Sequence, residues 1–164
     1  MFLGGIVCNN GGKLIKDLRA GLGPNVLLMG PDGFTPFDAV ASGSGGASDG
    51  MLISVAGLPN ERLGATGQKF IKAFTKAQKR VPDPYGVYMA QATEIALDAI
   101  ARSTGTRGSV ASAIFTTTLK DSIFGRFSFD INGDPLLKAI TFYKMGGNTA
   151  KTFRVIFPPA SLTC

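Results

Sequence analysis

The first 55 residues alternate short apolar runs with amphipathic stretches, and no other feature of the sequence constrains the fold as strongly. MFLGGI opens the chain as a short buried strand ending at Gly4-Gly5. Leu14, Ile15, Leu18 and Leu22 then recur at helical spacing, with Lys13, Lys16, Asp17 and Arg19 on the other face. Gly21 or Gly23, followed by Pro24, stops this helix. Val26, Leu27, Leu28 and Met29 form a continuous apolar run, the pattern of a strand covered on both faces. Gly30-Pro31-Asp32-Gly33 is a turn signal. Thr35-Pro36 reads as a helix start, with Thr as cap and Pro in the first turn. The SGSGG stretch from Ser42 keeps that helix short, and Met51 to Val55 is another buried strand. Strand, helix, strand, helix, strand implies right-handed βαβ units and a parallel sheet, hence an α/β fold.

The remainder is helical first and extended later. Residues 56–62 connect, with Gly57 and Pro59. Phe70, Ile71, Phe74 and Ala77 share one face of a helix over 66–80, and Lys69, Lys72, Lys76 and Lys79 point away. A longer helix over 84–103 starts at Asp83-Pro84, carries Tyr88, Ala92, Ile95, Ala96, Ala99 and Ile100, and stops before Gly105. A third helix is expected from Ser109 to Leu119. GRFSFD over 125–130 alternates, and Asn132-Gly133 turns it into a returning strand from Leu136 to Met145. Gly146-Gly147-Asn148 turns again into the alternating Lys151 to Phe157, and Pro158-Pro159 ends regular structure.

The composition removes several kinds of chemistry. The chain has 164 residues, suited to one ordinary domain, and is 45% hydrophobic and 17% charged, enough to bury a core. Histidine is absent, which excludes Ser-His-Asp and Cys-His catalysis and the commonest zinc ligand. The net charge of +6 is scattered, without a dense Lys/Arg tract, so it gives no support to a nucleic-acid partner. No phosphate-binding GxxxxGK[ST] or GxGxxG pattern is present. Asp130-Ile-Asn-Gly-Asp134 looks superficially like a calcium loop, but the twelfth position is Thr141 rather than Glu, so a turn is the better reading. Glu94 and Asp98 sit four apart on a helix and read as a solvated face, not an acid/base pair. Cys8 and Cys164 lie at opposite ends, and no spacing argues for pairing them. Neither a cofactor nor a metal is called for. No apolar run reaches membrane-spanning length, and MFLGGIVCNN lacks the layout of a secretory signal.

Several stretches, taken in order, carry a family resemblance: LGGI before an amphipathic helix, LLMGPDGF, ASDGMLIS, YGVYMAQATEIALDAIARS, FGRFSFDINGDP, and ITFYKM before a Gly-rich turn. The series resembles the C-terminal half of the Leu/Ile/Val-binding proteins of ATP-driven importers. That resemblance implies a type I periplasmic-binding fold, two α/β lobes joined by crossing strands, with solute held in the cleft and hinge closure as the working event. On this template residues 1–53 belong to the second lobe, 54–139 supply helices and a hairpin of the first, 140–157 return to the second, and 158–164 form a tail. The expected function is capture of a branched-chain or related amino acid for a membrane permease, without enzymatic activity. The expected location of the parent protein is periplasmic or extracytoplasmic. A ligand-sensing receptor domain of the same fold, or a Rossmann-like enzyme, are the alternatives. The family is about twice as long, so the chain is expected to be a truncated piece that does not necessarily bind alone. Such a piece is expected to form a homodimer or strand-exchanged oligomer.

The resemblance also points to residues. An acidic residue after the "MGP" turn meets the ligand's amino group in the family, and here that position is Asp32, one methylene shorter than the frequent Glu. Its place at the end of a parallel strand fits ligand binding in α/β sheets, and holding a Pro-Asp-Gly turn would equally explain it. Ile6 stands where the family often has an aromatic contact. Cys8 and Asn9 share its loop as candidates for the rim. Phe34, beside Asp32, is a pocket wall or a core residue.

Overall fold

A computed structural model describes residues 1–159, and the chain divides into two compact units. The first comprises residues 1–58 and the segment from Ala139 onward; the second comprises Pro59–Lys138.

The first unit is built on a four-stranded sheet in the order β1 (Met29–Gly30), β2 (Leu52–Ala56), β5 (Ile140–Gly146), β6 (Thr149–Ile156). β1 and β2 run parallel, as the βαβ pattern predicts. β2–β5 and β5–β6 run antiparallel, so the sheet is mixed. The sequence hides this because β2 and β5 are far apart in the chain, while the hairpin turn at Gly147 (φ 61) makes β5–β6 local. The opening strand is reduced to one parallel bridge, Phe2 to Met29, secured by Leu3 N donating to Met29 O at 2.8 Å and Met29 N to Met1 O at 2.9 Å.

Helix α1 (Gly12–Leu22) follows a wide turn, Val7–Gly11, and ends at Gly23 with φ 87, the backbone that favours glycine. Its buried face is narrower than expected: Ile15 is fully buried and Leu18 half-buried, but Leu14 and Leu22 are exposed. Helix α2 (Phe37–Ser44) takes in Ser42 and Gly43, which the sequence assigns to a loop; Gly45, left-handed at φ 57, caps it. The helices cross closely at Gly12, where a Cβ would fall 2.4 Å from the Gly43 carbonyl carbon, while a Cβ on Gly43 would meet only Gly12 Cα at an ordinary 3.6 Å. Thr35 is not the cap. Pro36 occupies that position, and the Thr35 hydroxyl instead donates to Asp32 O at 2.7 Å.

The core of this unit lies between the two helices and one face of the sheet. Ile15, Phe34 and Val40 meet Leu3, Leu28, Met51, Ile53, Val55, Tyr143 and Met145 there. Side chains alternate along a strand, so the neighbours of Leu3 and Leu28 face the other way. Phe2 and Leu27 are each 60% exposed, against the expectation of a strand covered on both sides. Arg19 ties the back of α1 to its surroundings by donating to the carbonyls of Ala47, Pro24, Val26 and Asp49.

The second unit is mainly helical: α3 (Ala65–Gln78), α4 (Pro84–Arg102) and α5 (Arg107–Phe115). Asp83-Pro84 starts α4 as expected, with Pro in the first turn. Val87, Gln91, Ile95 and Ala99, spaced by four, are its buried face. α5 is shorter than the sequence suggests, because Thr118–Ser122 leaves it as strand β3. β3 pairs with β4 (Gly125–Ser128). The expected hairpin between residues 125–130 and 136–145 is therefore replaced by a different partner, with one bridge, Phe129 to Pro135, remaining at the turn. Gly67 lets α3 approach this hairpin: a Cβ there would lie 2.6 Å from Ile123 O. The DINGD turn is held by Asp130 itself. Its carboxylate accepts from the amides of Asn132 and Asp134, each at 3.0 Å, and from Lys138 Nζ at 3.0 Å. Those bonds are the turn reading in atomic form.

Candidate functional site

Two loops leave the carboxyl ends of adjacent parallel strands in the first unit. One is Gly4 to Gly11 and the other is Pro31 to Pro36. α/β sheets commonly bind ligands at such ends. The loops touch through glycines. A Cβ on Gly33 would sit 2.5 Å from Gly5 O and 2.5 Å from Ile6 Cγ2, and a Cβ on Gly11 would sit 2.9 Å from Phe34 Cε1. No larger residue at either position leaves the loops as they are.

Asp32 opens a single 3-10 turn, Asp32–Phe34, with Phe34 N donating to Pro31 O at 3.1 Å and Thr35 N to Asp32 O at 3.0 Å. Its side chain is on the exposed surface. The turn directs Phe34 inward. Phe34 is 1% exposed and presses on Gly30, where a Cβ would fall 2.6 Å from its ring. Of the two readings of Phe34, the structure places it in the core, beneath the loops. Ile6 is 45% exposed, and Cys8 is exposed too. Asn9 shares the loop and donates its amide to Ile6 O at 3.2 Å. The chain thus brings Asp32 and Ile6 onto touching loops. Cys164 lies outside the described residues.

A shallow depression of about 380 Å3 lies beside these residues, toward α1 and α2. Val7, Cys8, Asn10, Lys13 and Ala39 line it, so it shares Cys8 with the sequence-derived set but not Asp32 or Ile6. Asn10 takes a left-handed conformation, φ 58, at the bend into α1. Lys13 is engaged with Asp17 at 2.5 Å. Sequence reasoning had no signal for Asn10 or Lys13, because the depression depends on α2 passing close to α1. Among the described residues no group of three His, Cys, Asp or Glu side chains is placed to hold a metal ion, and no helix is long and apolar enough to cross a membrane.

The sequence matches no family model and no curated protein. Solved structures do resemble the fold. A leucine-binding protein of Thermotoga maritima matches with a TM-score of 0.83 at 20% identity, over 96% of this chain and 44% of that one. A branched-chain amino acid transporter substrate-binding protein of Streptococcus pneumoniae, in complex with isoleucine, matches with a TM-score of 0.77 at 18% identity, over 96% and 44%. A solute-binding protein of an ABC transporter from R. palustris, in complex with benzoate, gives 0.67 at 22% identity, over 88% and 39%. The chain spans less than half the length of each. Helices on a mixed sheet in one unit and helices with a hairpin in the other are thus the two parts of a partial type I periplasmic-binding-protein fold, the fold of the substrate-binding proteins of branched-chain amino acid ABC transporters.

Proposed function

We propose that this chain is the later portion of a solute-binding component of an ABC importer, and that it carries the half-site for the amino group of a branched-chain or related amino acid. The observation that carries this reading is the pairing of Asp32 with Ile6 on loops locked together at Gly33 and Gly5. A zwitterionic aliphatic amino acid needs a carboxylate for its ammonium and an apolar surface for its side chain. Asp32 supplies the first and the open face of Ile6 the second. Cys8 lies at the rim, and Phe34 supports both loops from below. The similar structures that hold isoleucine and benzoate are both solute binders, which supports capture rather than turnover. The acidic Asp32 favours an ammonium-bearing ligand over a simple aromatic acid.

Residues 1–53 and 140–157 are assigned to the second lobe of the binder and residues 54–139 to the first. The remaining portion of such a fold supplies the ligand's carboxylate site. It also covers the apolar faces open here, Phe2 and Leu27 on the sheet and Met89, Leu97 and Ile100 on α4. The parent protein works outside the cytoplasm and delivers to a membrane permease. Alone, the chain covers its open faces with a second copy, as a homodimer or by strand exchange.

A thermal-shift panel tests the solute. Leucine, isoleucine and valine at high millimolar concentration raise the melting temperature by a few degrees, following about RT ln(1 + [L]/Kd). Benzoate does not, and Asp32→Ala removes the amino-acid shift. A shift with benzoate that survives Asp32→Ala contradicts the assignment.

A further inference from the structure

Helical winding gathers charges that the sequence spaces out. Between Glu61 and Asp83 the chain holds Arg62, Lys69, Lys72, Lys76, Lys79 and Arg80, and no Asp or Glu. Its other eleven basic residues match its eleven acidic ones, so this one stretch accounts for the whole net charge of +6. α3 runs through the stretch. At about 3.6 residues per turn, Lys69, Lys72 and Lys76 fall in one narrow stripe, and Lys79 at the C-cap continues it. All four are exposed. The opposite side of α3 carries the buried Gly67 and the half-buried Phe70, Ile71 and Phe74. Among the described residues none of these four lysines has a carboxylate partner, whereas Arg80 pairs with Asp83. The other long helices mix their signs: Lys13 meets Asp17 on α1, and Arg102 meets Asp98 on α4.

Like charges three and four residues apart work against a helix. Cations are favoured at a helix C-terminus, which compensates Lys76 and Lys79. Lys69 and Lys72 lie farther from that end and have no such compensation. An anion outside the chain supplies it. The row from Lys69 to Lys79 is straight and about 15 Å long. Only the short, exposed Ala65 and Ala73 stand beside the lysines, so a flat surface can come close. Protein interfaces centre on apolar or aromatic anchors and are poor in lysine. Single-stranded nucleic acids stack on aromatic rings, and here Phe70 and Phe74 are on the other side of the helix. We propose that the lysine stripe of α3 docks on an anionic phospholipid surface, with the ammonium groups of Lys69, Lys72, Lys76 and Lys79 facing the headgroup phosphates. A component that delivers to a membrane permease works beside such a surface. That one link rests on the functional reading above; the docking itself does not.

Co-sedimentation of the full chain with phosphatidylcholine vesicles, with and without phosphatidylglycerol, tests the proposal. Binding is expected only where phosphatidylglycerol is present, and is expected to be lost near about 1 M salt, where screening leaves a range of only about 3 Å. The double variant Lys69→Gln with Lys72→Gln keeps helix propensity and is expected to weaken vesicle binding about tenfold or more. Lys69→Arg with Lys72→Arg is expected to bind like the wild type. The charge-matched control is Lys144→Gln with Lys151→Gln, an exposed pair that face each other across β5 and β6; it is expected to change binding by about twofold or less. Equal losses in the two Gln doubles overturn the proposal, because net charge alone then explains the attraction. Equal binding to vesicles without phosphatidylglycerol overturns it in favour of the exposed apolar side chains. No binding to either vesicle overturns it outright, and retention on polyglutamate or duplex DNA in that case assigns the stripe to an acidic protein or a nucleic acid. The amino-acid thermal shift is expected to be the same in the lysine variants as in the wild type, so its absence contradicts the solute reading alone.

Discussion

Truncating Phe34 to Ala removes a ring that is 1% exposed and pressed against Gly30 and Gly11. The expected loss is about 3–5 kcal/mol of unfolding free energy, read from a denaturant midpoint with unchanged slope. Asp32 next door differs in kind. Its side chain is exposed, so Asp32→Ala is expected to change stability by about 0.5 kcal/mol or less while removing the amino-acid response. The sequence placed these two residues side by side but could not tell their roles apart, because the inward aim of Phe34 is set by a 3-10 turn that spacing does not encode. Asp130 makes the third prediction. Its hydrogen bond to Lys138, then that to the Asp134 amide, hold its carboxyl below the ordinary value of 3.8, against a smaller opposing effect of burial. A depressed folded-state pKa gives stability that is present above 3.8 and lost as pH falls through the folded value. The denaturation midpoints of the wild type and Asp130→Asn should therefore differ at neutral pH and converge below 3.8; a gap that persists in acid would assign the turn's strength elsewhere.

At the scale of elements, α1, α3 and α4 were legible because Gly23, Pro84 and the i, i+4 apolar spacing are local signals. The pairing of β4 was not. GRFSFD alternates in a way that fits a hairpin on either side, and the register was decided by β3, whose sequence TLKDS carries little apolar pattern. α2 outran its expected length by taking in Gly43, unfavourable inside a helix by about 1 kcal/mol, where the helix packs closely on Gly12 of α1. α4 has a second apolar face opposite its buried one, with Met89 69%, Leu97 62% and Ile100 53% exposed. Substituting Met89→Glu is expected to leave the far-UV circular dichroism intact and to convert a self-associated chain to monomer in light scattering. A wild-type chain that already runs as a compact monomer would contradict self-association through exposed apolar surface.

Across the whole molecule, sequence order alone was enough to suggest the fold, since strands, helices and turn signals arrive in the succession that the similar leucine-binding protein shares over 96% of this chain. The mixed character of the sheet was not legible, because β2 and β5 are brought together by a return of the chain after the second unit. The candidate site was legible as loops at strand ends, but the contact between those loops depends on Gly33 and Gly5 meeting in space. That contact is also the basis of the functional account, so a titration that reads it directly is the most direct test. In a two-dimensional amide NMR titration with leucine, the account predicts saturable shifts at Gly5, Ile6 and Gly33, with a Kd of about 1 mM or weaker as befits half a cleft, absent in Asp32→Ala. Leucine at tens of millimolar leaving these amides unmoved, or moving them equally in Asp32→Ala, would contradict it.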